Sequence, residues 1–83
     1  MAEKSGTVIC VQAQEGAGFT TIKDAAGTQE AFILWMNSLP TASERVTHSM
    51  WVTLLREAFA TGRPVTVFHP DDNANVTSVQ LGG

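Results

Sequence analysis

A capped, amphipathic segment sits between two blocks of period-two sequence, and that change of period constrains the fold more than any other feature. Thr41-Ala42-Ser43-Glu44 sets a threonine at a candidate N-cap and a glutamate three positions on. At that spacing each side chain reaches the other residue's backbone N–H, a capping box. Beyond it Val46, Met50, Leu54 and Ala58 recur every four residues, with Trp51, Leu55 and Phe59 as a neighbouring row. Arg45, His48, Ser49, Thr53, Arg56 and Ala60 fall mainly on the opposite face. The spacing predicts an amphipathic helix over 42–61, about five turns at 3.6 residues per turn. Gly62 suits a left-handed residue after the last turn, and Pro64 stops the helix from resuming.

The flanking blocks read as strands. Residues 6–14 (GTVICVQAQ) alternate between two moderately apolar faces, and the glycine-rich 15–18 turns the chain. Residues 19–24 (FTTIKD) form a second strand rich in β-branched residues. Its Phe19 and Ile22 fall on opposite faces, which points to a bulge or to a strand with two-sided surroundings. Residues 29–36 (QEAFILWM) read as a third strand, buried on both faces. After the helix, 64–69 (PVTVFH) and 75–81 (NVTSVQL) give a fourth and a fifth strand, separated by the turn signal Pro70-Asp71-Asp72-Asn73. Three strands, a helix and two strands is the element order of an OB-fold, a five-stranded Greek-key barrel with a helix between strands 3 and 4. An open α+β sheet is the rival reading. Closure is preferred because it removes exposed strand edges.

With 83 residues the chain has room for one domain, 1–83. A domain of this size buries only about 60% of its unfolded surface and often needs help from a disulfide, a metal or a partner. The single cysteine, Cys10, excludes an intrachain disulfide and a multi-cysteine zinc site. Charged residues make up 16% of the chain, against roughly 25% in ordinary domains. Both facts point to association with copies of itself. The longest apolar run, Ala31 to Met36, is far short of the ~20 residues that span a bilayer. The chain as given opens with no basic–apolar–small leader.

Net charge is −3, and the five basic residues Lys4, Lys23, Arg45, Arg56 and Arg63 are scattered. Nucleic-acid binding draws its affinity from clustered Lys and Arg, so a neutral or polar ligand fits better. A single-stranded nucleic-acid binder using Phe19, Phe32, Trp35 or Phe68 as stacking platforms is the alternative. A purely structural oligomerisation domain is another. No nucleophile elbow, phosphate loop or dinucleotide fingerprint occurs. His48 and His69 are the only histidines, and no paired metal-ligand spacing surrounds them. Asp71, Asp72, Asn73 and Asn75 read as a hydrated turn rather than a calcium loop. Cys10, within a strand, reads as a small buried hydrophobe. The expectation is a non-catalytic binding module without metal or cofactor.

The stretch 54–69 (LLREAFATGRPVTVFH), together with Lys4-Ser5-Gly6-Thr7-Val8-Ile9, resembles the OB-fold B subunits of bacterial A–B toxins. The nearest are of the subtilase cytotoxin and typhoid toxin type, related to pertussis-like B subunits. Their helix ends in an aromatic, a Thr-Gly, a polar residue and often Pro-Val before an alternating strand. The resemblance implies a homopentameric ring with helices lining a central pore, here through Arg45, His48, Ser49, Thr53 and Arg56. It also implies secretion, recognition of cell-surface carbohydrate, often sialylated, and a catalytic A subunit as partner. A cytoplasmic location stays open from the chain as given. The family's sugar-contacting serine corresponds to Ser5, and a polar residue near the end of its second strand to Lys23 or Asp24. His69 stands where the family has a tyrosine, and this sequence has neither a tyrosine nor a second cysteine.

Overall fold

A computed structural model describes residues 2–82 of the chain. Its elements are β1 (Ala2–Gln14), β2 (Ala17–Lys23), β3 (Gln29–Trp35), α1 (Ala42–Thr61), β4 (Val65–His69) and β5 (Ser78–Leu81). The strands form one five-stranded antiparallel sheet in the order β3-β2-β1-β4-β5. The sheet is open, with one isolated bridge outside its ladders. Ile33 of β3 and Asn75, just before β5, make a parallel bridge, with Ile33 N–H donating to Ala74 O and Val76 N–H to Ile33 O, both at 2.8 Å.

β1 is longer than its alternation predicts because it serves two neighbours in turn. Ala2–Gly6 pair with His69–Val65 of β4, and Thr7–Gln14 pair with Lys23–Ala17 of β2. The lead-in Glu3-Lys4-Ser5 carries no apolar signal, so its strand character comes from β4 rather than from its own composition. At the changeover the β1–β2 register skips Ile9. Thr20, fully buried opposite this irregularity, donates its hydroxyl to the Cys10 carbonyl at 3.0 Å, leaving no orphaned side chain there. A second register shift lies at Gly18/Phe19, where β3 spends an extra residue, Leu34. At the other end the expected fifth strand shortens: the ladder runs only over Ser78–Leu81, and the preceding residues turn toward β3.

The core gathers Val8, Ile22, Phe32 and Leu34 from the first three strands, Val65 and Val67 from β4, Val76, and Leu55 and Ala58 from α1. Each fully buried Leu, Ile or Phe contributes about 1.5–3 kcal/mol. The helix ends are chemically defined. Glu44 N–H donates to Thr41 Oγ1 at 3.2 Å, and Thr41 N–H to Glu44 Oε1 at 2.9 Å. Gly62, at φ 73°, is left-handed and donates its N–H to the Ala58 carbonyl.

The helix buries a narrower face than its sequence offers. Leu55 and Ala58 are buried and Trp51 packs beside them, whereas Val46, Met50 and Phe59 stay more than half exposed. At about 100° per residue the apolar arc covers well over half the helix, and one sheet covers only part of that arc. Val46, Met50 and Leu54 therefore form one uncovered flank, and Phe59 stands exposed on the other, beside Val52, which packs against the core. Leu39 and Met36, in the segment leading into α1, are also exposed.

Candidate functional site

The polar face of α1 looks into a cleft of about 560 Å³. Arg45, His48, Ser49, Thr53 and Arg56 follow one another by three, one, four and three residues, so all five fall along one side of the helix. Every one of these expected pore-facing residues lines that cleft. Gln14 and Glu15, where β1 turns into β2, form the facing wall, while Ser38 and Pro40 close the end. Trp35 projects in from β3.

The floor is an aromatic layer. Trp35 and His48 stack with centroids 4.6 Å apart and planes 12° from parallel, and His48 meets Trp51 at 5.8 Å and 40°. Trp35 also lies close against its cross-strand partner Gly18, where a Cβ would come within 2.5 to 2.7 Å of three indole carbons. Glycine at that position is what lets the indole lie flat enough to meet the imidazole.

Charge in the cleft is unevenly compensated. Arg45 and Arg56 form no ion pair among the described residues, and Glu15 is the single carboxylate lining the cleft. Glu44, next to Arg45 in sequence, is committed to the cap. The Thr41 N–H and hydroxyl, with help from His48, hold its carboxyl below the usual glutamate range.

The residues assigned by resemblance lie elsewhere, along the ladders that flank the first half of β1. Ser5 and its β4 partner Thr66 share an exposed hydroxyl–hydroxyl hydrogen bond of 2.7 Å. Asp24 accepts from Lys4 Nζ at 2.6 Å through one oxygen, and through the other from the N–H groups of Ala26 and Thr28. Those donors, Lys4 first, hold its carboxyl below the ordinary aspartate value. Lys23 is exposed at the end of β2. His69 is three rungs away, opposite Ala2. Its Nδ1 lies 2.8 Å from Pro70 O and 2.9 Å from Asn73 O. Two carbonyls can only accept, so Nδ1 carries the proton and pins the turn before β5. Sequence reasoning missed Lys4 and Thr66, whose roles exist only through cross-strand register, and Gln14 and Glu15 on the cleft; Trp35, a candidate stacking platform in the sequence, lines the cleft with one face against His48.

Cys10 is a free, exposed thiol rather than a buried hydrophobe, because the register slip at Ile9 turns it outward. With Ile9, Val11 and Ala13 it borders a second groove of about 470 Å³, closed by Val52, Arg56 and Phe59. A shallower hollow of about 290 Å³ lies on the other flank, formed by Ser49, Met50, Thr53 and Leu54. Among the described residues no group of three or more His, Cys, Asp or Glu could hold a metal ion. No described helix is long and apolar enough to cross a membrane. Neither a protein-family model, nor a curated protein, nor a solved structure matches this chain.

Proposed function

We propose that the chain is a non-catalytic OB-fold binding subunit that closes into a ring of identical copies, a pentamer by its resemblance, and recognises carbohydrate. Closure of the sheet is supported by the parallel bridge between Ile33 and Asn75, which brings the chain just before β5 against β3. The observation that carries the assembly is the pair of unlike apolar flanks on α1. One bears Met50 and Leu54 around a shallow hollow, and the other bears Phe59 beside the Ile9–Val11 groove. Two different surfaces, one on each side of a polar face, suit a head-to-tail contact, and a head-to-tail contact that closes makes a ring. In such a ring the cleft-lining face of α1, with Arg45, Ser49 and Thr53, turns toward the central space, and each copy's Met50 flank meets the next copy's Phe59 groove, which Arg56 borders.

Carbohydrate is supported by the exposed Ser5–Thr66 hydroxyl pair, which is able to bond sugar hydroxyls. Several such sites on one ring add avidity without new contacts. Partnership with a catalytic subunit and secretion belong to the same reading and rest on the resemblance alone.

The assembly is tested by complementation. Met50→Asp and Phe59→Asp each spoil one flank of every copy, so neither variant alone forms the ring. Mixed, they leave one intact contact between unlike copies and give a one-to-one heterodimer. Variants that keep the wild-type mass would refute the head-to-tail contact. A glycan array that lights up with the wild type and is dark with Ser5→Ala tests the sugar surface separately.

A further inference from the structure

We propose that the cleft between the polar face of α1 and the β1–β2 turn binds a small, polar carboxylate, such as a hydroxy acid, with Arg45 and Arg56 as its anion-holding groups. The proposal stands apart from the carbohydrate reading, which uses the Ser5 surface, and needs only one copy of the chain.

Two of the chain's five basic residues line one cleft, although the chain as a whole carries −3. Neither guanidinium has an ion-pair partner among the described residues. With Glu15 as the one carboxylate on the lining, the cleft keeps a net positive charge. Arginine offers a planar fork matched to a carboxylate, and a charge-assisted bond of that kind is about twice as strong as a neutral one. The two arginines are eleven positions apart, about 16 Å along the axis, so a compact ion is held by one of them. The space between carries the hydroxyls of Ser49 and Thr53 beside the apolar Val52, which suits a ligand with both polar groups and a short carbon skeleton beyond its carboxylate. Ser49 supplies a hydroxyl, and Gln14 keeps its amide N–H₂ available because its oxygen already accepts from Gln12.

Stacking ligands fit less well. His48 already occupies a face of Trp35, so the cleft presents no open indole for a nucleobase. Its volume, about 560 Å³, lies within the roughly 300–1,000 Å³ of small-molecule sites.

The test uses sodium gluconate, glucose and sodium sulfate as probes on the full chain labelled with 5-fluorotryptophan. The chain has two tryptophans, so fluorine NMR gives two signals, and Trp51→Phe identifies that of Trp35. Gluconate is expected to move the Trp35 signal saturably, and more than glucose or sulfate does. Arg45→Gln with Arg56→Gln is expected to weaken gluconate about tenfold or more, the loss of one charge-assisted bond. Arg63→Gln, away from the cleft, leaves it unchanged. Circular dichroism checks that the double variant is folded, and both arginines are exposed, so folding is retained. Glucose binding as tightly as gluconate, sulfate doing so, or undiminished binding in the double variant would each overturn the proposal. Mass measurements on the same samples report the assembly, and because Arg56 also borders the Phe59 groove, gluconate is titrated into samples of known mass so that the two readings fail separately.

Discussion

Trp35 of β3 and His48 of α1 stack face to face, 4.6 Å between centroids, and this is the contact that ties the helix to the floor of the cleft. An aromatic pair of this geometry contributes about 0.5–1.5 kcal/mol beyond its buried area. His48→Ala is therefore expected to lower unfolding stability by about 1 kcal/mol in urea titrations. Near-ultraviolet circular dichroism should also lose part of its tryptophan signal while the far-ultraviolet spectrum is kept. An unchanged tryptophan band would mean that the stack does not order the indole.

Gly18→Ala tests the same layer from beneath. A methyl there would press on three carbons of Trp35, so the indole must leave its place over the glycine. Overpacking of this kind costs about 1–3 kcal/mol. The expected result is a lower midpoint in denaturant and a red-shifted tryptophan emission.

Asp24 makes part of the stability depend on pH. Its folded carboxyl titrates below the ordinary aspartate value of 3.8, chiefly through Lys4 and the Thr28 N–H. A depressed folded pKa gives stabilisation that is present above the unfolded value and lost as pH falls through the folded one. Stability should thus drop from about pH 4 downward, and Asp24→Asn should be less stable near neutrality with a shallower acid limb. Glu44 acts in the same direction through its cap, so Glu44→Gln should also soften that limb. Urea titrations at pH 7, 4 and 3 read both effects. An acid limb of the same slope in both variants would contradict the assignment.

Leu55 and Met50 separate core from flank on one helix. Leu55 is fully buried and Met50 is 57% exposed. Leu55→Ala should cost about 2–5 kcal/mol, whereas Met50→Ala should cost little in a single copy. Dissociation at a given concentration should instead be promoted by Met50→Ala, measured by sedimentation.

What could be read from sequence is what chemistry marks locally. The box of Thr41 and Glu44 and the left-handed Gly62 bracket α1 because both act within a turn of their own position. The five polar residues of the helix share one cleft because their spacing alone decides their side. Relations made by register were hidden. Glu3-Lys4-Ser5 becomes strand only because β4 supplies partners, and Cys10 turns outward only because the ladder slips at Ile9. The exposed flanks show a third limit. Val46, Met50 and Phe59 fit an apolar helix face, but their periodicity does not say how much of that face this sheet covers.

The central claim is that α1 leaves two unlike apolar flanks for copies of the same chain. Native mass spectrometry of the wild type at micromolar concentration tests it most directly. The account predicts a single closed species at five times the 8.9 kDa of one chain. A spectrum holding only the 8.9 kDa monomer would contradict it.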